Sequence, residues 1–214
     1  MSSAGSSIAV SRETGRAAFA AQFDVSSETL AQFDRYAALL DDWQTRMNLV
    51  GAATLPEIWT RHFADSAQLV SLAGPGAWLD IGAGAGFPGL VAALFGAGPV
   101  HLVESTAKKA RFLETVAEEL ALTQVSVHSA RVEAMPAFPV ATITARACAP
   151  LTRLFEWGSR FAQTDTVWLL LKGSSVDDEL ADARRSFAFH VKQVASVSDP
   201  RGRIVVATDV RRRR

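Results

Sequence analysis

Several features that mark specialised proteins are rare or missing in this chain. Cys148 is the single cysteine among 214 residues, which excludes an internal disulfide and a zinc site built from several cysteines. No apolar run reaches the roughly 18 residues that cross a membrane. The N-terminus also lacks the basic start and apolar centre of a secretory signal. We therefore expect a soluble, cytoplasmic protein.

The chain also has no net charge, because its 22 Lys and Arg residues balance its 22 Asp and Glu residues. Overall charge thus gives no argument for a nucleic-acid partner, but the charges are unevenly distributed. Residues 1–80 contain 5 basic and 9 acidic side chains, whereas residues 101–214 contain 17 and 13. The later part of the chain is therefore the basic one.

The first part of the chain predicts helices. Residues 1–26 are rich in Ser, Gly and Ala, which favours a flexible lead-in. From Ser27 to Met47, and again from Leu55 to Leu72, apolar residues recur at spacings of three and four, the pattern of amphipathic helices. We predict a helical extension over residues 27–76 that packs on the core.

After Ala77 the hydrophobic pattern changes. Short apolar runs alternate with stretches long enough for helices, which predicts a parallel sheet with crossover helices. These runs are Trp78–Ile81, Val100–Val103, Val125–Val127, Ala141–Ala145 and Val167–Leu171. Two further runs flank Asp-Pro-Arg-Gly at 199–202, a turn that predicts an antiparallel pair at the end. The sheet domain should span residues 77–210, followed by a solvated basic tail at 211–214.

The stretch AWLDIGAGAGFPGL, residues 77–90, has the glycine density of a ligand-binding loop. Gly82, Gly84 and Gly86 allow positive φ and bring no β-carbon between the backbone and a ligand. The loop lies between a predicted strand and a predicted helix, where parallel sheets bind ligands. A crowded turn with no ligand is the alternative.

Two acids suggest which ligand the loop binds. Asp80 precedes the first glycine by two residues, which suits a ligand that carries positive charge. Glu104 follows the next strand, where a carboxylate can accept the two hydroxyls of a ribose. A dinucleotide would use the same acid, but its usual glycine pattern is G-x-G-x-x-G with pyrophosphate on the helix, whereas the loop here begins D-I-G-A-G-A-G, with an acid two residues ahead of the first glycine. S-adenosylmethionine is therefore favoured over a nicotinamide, with a merely solvated Glu104 as the alternative.

Several separate motifs, in order, resemble one protein family. They are RHFADS at 61–66, LDIGAGAGFPGL at 79–90, VESTAKKARFLETV at 103–116, ARVE at 130–133, ARACAPL at 145–151 and LLLKG at 169–173. Together these stretches resemble the RsmG or GidB family of bacterial guanine-N7 methyltransferases of small-subunit (16S) ribosomal RNA. The resemblance covers the chain from about Asp42 to Lys172.

This resemblance implies an α/β class I (Rossmann-like) methyltransferase fold, with N-terminal helices and a mostly parallel seven-stranded sheet whose last strand is antiparallel. It implies S-adenosylmethionine as methyl donor, which becomes S-adenosylhomocysteine, and no metal. The implied cofactor contacts fall on Gly82, Phe87, Val132, Glu133 and Arg146. Alternatively, Phe87 simply packs under the loop.

Arg146 lies in the otherwise apolar stretch ITARACAP. An arginine there either pairs with a carboxylate at the sheet edge or faces the active site, which we favour. No other catalytic candidate is assigned, because guanine N7 has a free lone pair and no proton, so methyl transfer requires alignment and no general base. Cys148 is expected to be a small buried side chain and no nucleophile.

Ribosomal RNA, free or in the small subunit, is the implied partner, and basic residues near the sheet edge are candidates to bind it. These are Lys108, Lys109, Arg111, Arg153 and Lys172, with Arg160 and the terminal arginines as further possibilities. Each could instead be a solvated surface charge. Arg61, His62 and Asp65 form either a local helical ion pair or an RNA-facing group, and the sequence leaves this open.

Two other function classes remain. One is a methyltransferase of the same fold that acts on a small molecule or protein, and the other is a nucleotide-binding module without catalysis. The absence of an Asn-Pro-Pro-Tyr-like motif argues against methylation of an exocyclic amino group. We expect a monomer without a membrane partner. Neither the modified guanine nor the form of RNA recognised follows from the sequence.

Overall fold

The computed structural model describes residues 3–213. One seven-stranded sheet forms the centre, in the order β3-β2-β1-β4-β5-β7-β6. Its strands are β1 Trp78–Ile81, β2 Val100–Val103, β3 Val125–His128, β4 Val140–Arg146, β5 Ala162–Lys172, β6 Phe187–Ala195 and β7 Arg203–Arg212. Strand β7 runs opposite to the other six strands, being antiparallel to both β5 and β6. The predicted fold class is confirmed, including the antiparallel last strand.

Helices cover the sheet on both faces. They are α1 Ser3–Gln22, α2 Ser27–Gln44, α3 Ala64–Ala67, α4 Gly89–Leu94, α5 Ala107–Glu119, α6 Leu151–Gly158 and α7 Val176–Ser186. In the described residues, no helix is both long enough and apolar enough to cross a membrane.

Alternation along each strand separates two cores. On β5, Leu169 and Leu171 join the core beneath the N-terminal helices, while Leu170 joins the core beneath α6 and α7. Successive side chains of a strand point to opposite faces, so an unbroken apolar run is required when both faces are covered.

The flexible lead-in predicted for residues 1–26 is wrong for most of its length, because α1 occupies Ser3–Gln22. Tertiary contacts hold this helix. Arg16 forms an ion pair with Asp34 at 2.6 Å, and Phe19 is 1% exposed, with its ring 4.9 Å from that of Phe33. Met1 and Ser2 lie outside the described residues.

The helix predicted from Leu55 to Leu72 is divided into short pieces. A 3-10 turn over Ala52–Glu57, a π-helical turn over Ile58–Phe63, α3 and a second 3-10 turn over Val70–Leu72 follow one another. Pro56 lies inside the first turn and has no main-chain N–H to continue an α-helical ladder. The apolar spacing thus correctly predicted which side chains are buried, but the prediction of one regular α-helix was wrong.

The basic tail is also partly wrong. β7 includes Arg211 and Arg212, which pair with Ala188 and Phe187, and the N–H of Arg213 donates to the carbonyl of Ser186 at 2.8 Å. Their side chains are nevertheless exposed. Arg214 lies outside the described residues.

Candidate active site

A cavity of about 580 Å³ opens at the carboxyl ends of β1, β2 and β4. It contains most of the residues that the sequence singled out as cofactor contacts. Those that line it are Gly82, Gly84, Phe87, Glu104, Val132, Glu133 and Arg146. Asp80 and Gly86 do not line it.

The glycine loop has the conformation that its sequence predicts. The φ angles of Gly82, Gly84 and Gly86 are +70°, +57° and +90°. The N–H groups of Gly82 and Ala83 both donate to the carbonyl of Val103, at 2.9 and 3.0 Å, which ties the loop to β2. Because most side chains are strained at such φ values, glycine is strongly favoured here.

Gly82 and Gly86 serve different contacts. A β-carbon on Gly82 would lie 2.7 Å from Cβ of Cys148, at the cavity wall. A β-carbon on Gly86 would instead collide with Leu90 and lie 2.5 Å from the hydroxyl of Tyr36, in the core below the loop. Gly86 therefore permits packing beneath the loop and does not face the cavity.

Asp80 is fully buried and holds the loop from below. Its Oδ2 accepts a hydrogen bond from the N–H of Gly89 at 2.9 Å, and its Oδ1 accepts one from the hydroxyl of Thr144 at 3.0 Å. Burial raises its pKa to about 6, against the effect of these two hydrogen bonds. Asp80 thus fixes the start of α4 and makes no direct approach to the cavity.

Glu104, by contrast, lines the cavity and braces the loop. Its Oε2 accepts the N–H of Gly84 at 3.0 Å, and its Oε1 accepts the N–H of Thr106 at 2.7 Å. Each carboxylate oxygen has a second lone pair. The side chain can therefore accept two more hydrogen bonds from a ligand in the cavity.

Phe87 is 2% exposed and forms the base of the cavity wall. Its ring stacks on the rings of Tyr36 and His62, with centroids 5.5 and 5.0 Å apart. The Arg146 guanidinium lies 4.7 Å from its centroid. Phe87 therefore packs under the glycine loop and also lines the cavity, so the two alternatives considered from the sequence both apply to it.

Val132 and Glu133 lie on a 3-10 turn, Val132–Ala134, across the cavity from the glycine loop. The side chain of Glu133 is exposed, and its carbonyl accepts a hydrogen bond from Arg160 at 2.8 Å. Arg160 is thereby fixed beside this turn.

Arg146 ends β4 and lines two cavities. Its Nη1 lies 2.7 Å from Nδ1 of His62. Burial lowers the pKa of Arg146. Electrostatic interactions with Asp65, Tyr36 and Asp80 act in the opposite direction and raise this pKa. Among residues 11–213, no carboxylate lies within ion-pairing distance of this guanidinium, so the sheet-edge pairing considered from the sequence is not what holds it.

The second cavity, of about 510 Å³, adjoins the first. Both are lined by His62, Arg146, Ala147 and Cys148. The charged residues of the second cavity are Arg61, Asp65, Arg146, Lys172, Glu179, Asp199 and Arg203. It therefore has a polar wall with charges of both signs.

The basic candidates separate into different environments. Lys109 is half-buried and lines the first cavity, while Lys108 and Arg111 are exposed on α5. Arg153 is exposed and pairs with Glu156 at 3.0 Å. Lys172 is 7% exposed and pairs with Glu179 at 2.7 Å, so it is already occupied within the protein.

Cys148 is exposed, so the prediction of a buried side chain was wrong. Its thiol lies beside the glycine loop and donates to the carbonyl of Ile81 at 3.3 Å. Partial desolvation raises its pKa to about 11, which keeps the thiol protonated near neutral pH. Within residues 3–213, no group of three or more potential metal ligands comes together.

Sequence reasoning missed several residues of the cavity wall. Leu49, Val50 and Gly51 line the first cavity from the joint after α2, and Trp157 lines it from α6. The half-buried position of Trp157 in an amphipathic helix was a usable signal, since Leu154 and Phe155 already supply the buried face of that helix. No local signal identified residues 49–51.

The fold is shared with known methyltransferases. A crystal structure of a SAM-dependent methyltransferase from Aquifex aeolicus superposes with a TM-score of 0.54 and 16% identity, over 71% of this chain and 91% of that one. The TYW2 protein of P. horikoshii, in complex with MeSAdo, gives a TM-score of 0.54 and 12% identity, over 69% and 61%. At these identities the likeness concerns the fold alone.

Sequence comparison is more specific. This chain is 46% identical over 197 residues to the ribosomal RNA small subunit methyltransferase G of Rhodospirillum rubrum, covering 91% of this chain and 98% of that protein. It is 45% identical over 194 residues to the protein of the same name from Caulobacter vibrioides, covering 88% and 89%. A profile of the GidB family, described as rRNA small subunit methyltransferase G, matches residues 29–205. The chain therefore belongs to the GidB family of rRNA small subunit methyltransferases.

Proposed function

We propose that this chain transfers a methyl group from S-adenosylmethionine to N7 of a guanine in small-subunit ribosomal RNA. The observation that carries the proposal is the pair of adjoining cavities, which share the wall formed by His62, Arg146, Ala147 and Cys148. Methyl transfer requires a donor and an acceptor side by side, with their reacting atoms in line. The first cavity suits the donor and the second the acceptor base.

The first cavity has groups for each part of the donor. Glu104 has free lone pairs for the ribose hydroxyls, and the backbone at Gly82 can approach the amino acid end without a β-carbon in the way. The turn at Val132 and Glu133 offers main-chain groups to the adenine. Arg146, which has no carboxylate partner in the described part of the chain, suits the donor's carboxylate.

Asp80 and Gly86 enter this proposal indirectly. The buried Asp80 carboxylate and the close packing at Gly86 maintain the loop whose backbone meets the donor. Neither residue lines the first cavity, so neither is a direct contact of the donor in this proposal.

In this reaction, the chain has to align the methyl donor with guanine N7 and to exclude water from between them. When bound, the cofactor supplies a methyl group on a positively charged sulfur. Guanine N7 has an exposed lone pair and no proton, so no side chain must accept or donate one. The protonated thiol of Cys148 and the neutral ring of His62 therefore stay as they are. Rate enhancement would come from orientation and from a fixed charge arrangement around the transferred methyl group.

Recognition of RNA would use the charged rim of the second cavity. Arg61 and Arg203 line it, and Lys109, Lys108 and Arg111 lie beside the first cavity or on the helix that follows Glu104. Phosphate groups are neutralised by such side chains. Lys172 is withdrawn from this role by its pairing with Glu179.

The protein works in the cytoplasm as a monomer, on ribosomal RNA or the small ribosomal subunit, without a membrane partner. The helical extension at 27–76 and the sheet domain at 77–210 form one unit in this proposal, because the first cavity is lined from both.

The proposal is tested by methyl transfer from labelled S-adenosylmethionine to small subunits from cells that lack this protein, followed by nucleoside analysis. Free ribosomal RNA and a protein extract serve as parallel acceptors. We expect 7-methylguanosine in the RNA and no label with a Gly82→Asp variant. Cofactor binding without any labelled RNA would overturn the acceptor, and a labelled protein or small molecule would replace it.

A further inference from the structure

Three hydrogen bonds in series join Arg146 to the segment after α2. Nη1 of Arg146 lies 2.7 Å from Nδ1 of His62. Nε2 of the same ring lies 3.0 Å from the hydroxyl of Thr54. That hydroxyl donates to the carbonyl of Gly51 at 2.8 Å. The series therefore begins at the wall shared by the two cavities and ends in the loop that lines the first one.

The direction of each bond follows from the chemistry of the groups. A guanidinium has only donors, so Nδ1 of His62 must accept. The proton of the neutral ring then resides on Nε2, which donates to Thr54. Because the Thr54 hydroxyl donates its proton to the carbonyl of Gly51, its oxygen is free to accept from Nε2. All three hydrogen bonds therefore point in one direction, from Arg146 toward Gly51.

The ring is held in its neutral form. Burial, followed by the charges of Arg146 and Arg61, lowers the pKa of His62 to about 3. The lone pair on Nδ1 is therefore available to Arg146 throughout the neutral range.

Other contacts constrain the direction of the guanidinium weakly. Among the residues that the structure describes, it makes no second hydrogen bond, and the face of Phe87, 4.7 Å from Cζ, constrains direction weakly. The hydrogen bond to His62 is thus the directional contact that fixes the guanidinium. A protein hydrogen bond of this kind orients the group that then meets a ligand.

We propose that His62, oriented by Thr54, is a positioning residue that holds Arg146 toward the carboxylate of the methyl donor. This inference depends on the proposed function for the identity of the donor. It gives the Arg61-His62 motif a role that the sequence left undecided. It also explains how the N-terminal helical segment takes part in the site, since Thr54 and Gly51 belong to that segment.

Thr54 offers the sharper test, because its side chain is half-buried and packing depends on it little. Thr54→Val keeps the shape and removes the hydroxyl, whereas Thr54→Ser keeps the hydroxyl. Thr60→Val is the matched control, because the Thr60 hydroxyl bonds only to the carbonyl of Glu57 and lies outside the series. We expect calorimetry to show about fivefold weaker S-adenosylmethionine binding for Thr54→Val, the effect of one hydrogen bond.

His62 is tested with a pair of variants of similar size. Asparagine places an amide oxygen near the position of Nδ1 and can still accept from Arg146, whereas leucine cannot. We expect at least about tenfold weaker cofactor binding for His62→Leu and a smaller loss for His62→Asn. In the unmodified protein, ¹⁵N spectra of the imidazole should show the proton on Nε2.

The readouts separate positioning from folding. Thr54→Ser and Thr60→Val should bind the cofactor as the unmodified protein does, and melting temperatures should agree across the threonine series. Equal affinity for Thr54→Val and Thr60→Val, equal loss for His62→Leu and His62→Asn, or a ring proton on Nδ1 would overturn the inference. Since the readout is cofactor affinity, failure to label RNA would instead count against the proposed acceptor.

Discussion

The carboxylate of Glu104 accepts a hydrogen bond from the N–H of Gly84 at 3.0 Å, so the acid at the end of β2 fixes the glycine loop at the end of β1. Its other oxygen holds the N–H of Thr106 at the start of α5. One side chain thereby joins two strand ends and the following helix. It does so while lining the cavity.

Removal of this carboxylate should weaken cofactor binding strongly. Glu104→Ala loses the ribose acceptor and the brace on Gly84 together, and each charge-assisted hydrogen bond contributes about 1.5–3 kcal/mol. We expect a loss of affinity for S-adenosylmethionine of at least about tenfold by calorimetry. Glu118→Ala, on the exposed side of α5, is the control. Unchanged affinity in Glu104→Ala would exclude a ribose contact.

Two glycines allow backbone strain to be separated from cavity geometry. Gly82 and Gly96 have φ of +70° and +77°, but a β-carbon on Gly96 meets nothing within 4 Å. Alanine at either position should cost about 1–2 kcal/mol of strain. Only Gly82→Ala should also abolish cofactor binding, because its β-carbon collides with Cys148. If both variants bind the cofactor equally, Gly82 has no role beyond its φ angle.

The pair formed by His101 and His128 should make the protein less stable in mild acid. Burial lowers the pKa of His101 and of His128, whose ring nitrogens are 3.1 Å apart, and the neighbouring ring lowers that of His101 further. The folded state then binds fewer protons than the unfolded state, so the free energy of unfolding decreases as pH falls below the unfolded value of about 6.5.

Urea denaturation at pH 8, 7, 6 and 5 measures this dependence. We expect a shallower slope for His128→Gln, which removes one titrating ring of the pair. His190→Gln, whose parent side chain is 83% exposed, should keep the slope of the unmodified protein. An identical slope in all three proteins would show that the pair contributes nothing below pH 7.

Lys172 should prove a stabilising residue and not an RNA contact. Lys172→Met leaves the carboxylate of Glu179 without its partner, which should cost about 2–3 kcal/mol of unfolding free energy. Lys172→Met combined with Glu179→Gln should recover at least half, since glutamine can still accept the N–H of Leu151. A stable single variant with a raised KM for ribosomal subunits would restore Lys172 to the RNA-binding set.

The first helix should be required for stability. Phe19 is 1% exposed against Phe33, Trp59 and Phe63, so Phe19→Ala should lower the free energy of unfolding by about 3–4 kcal/mol. Arg16→Ala breaks a half-exposed ion pair with Asp34 and a distant contact with the Trp59 ring, 5.9 Å from Cζ, and should cost about 1 kcal/mol or less. Similar small losses in both would mean that α1 is dispensable, as a flexible lead-in would be.

The features that could be predicted from the sequence are those set by residues close together along the chain. Strands β1, β2 and β3 begin at the predicted residues. A strand inside a parallel sheet appears in the sequence as a short apolar run, so its position can be predicted from neighbouring residues alone. The glycine loop was found for the same reason, since positive φ restricts residue type directly. Family resemblance supplied Val132, Glu133 and Arg146, which no spacing rule identifies.

Contacts between distant positions explain the failures. Ser, Gly and Ala in the first residues argued against a helix, and α1 is ordered by partners in α2 and in the π-helical turn. Asp80 and Glu104 occupy similar positions at strand ends, yet only Glu104 reaches the cavity, because Asp80 is used by Gly89 and Thr144. Lys172 ends a strand as predicted, and Glu179 already holds it.

The alternation of strands and helices, the glycine loop at the first strand end and the family resemblance all follow from the order of residues along the chain. They depend on local periodicity, backbone permissiveness and motif order. Which charges remain available to ligands depends instead on contacts that form only when distant segments fold together. His62 and Arg146 are 84 positions apart, and their hydrogen bond exists because the sheet edge and the helical segment fold against each other.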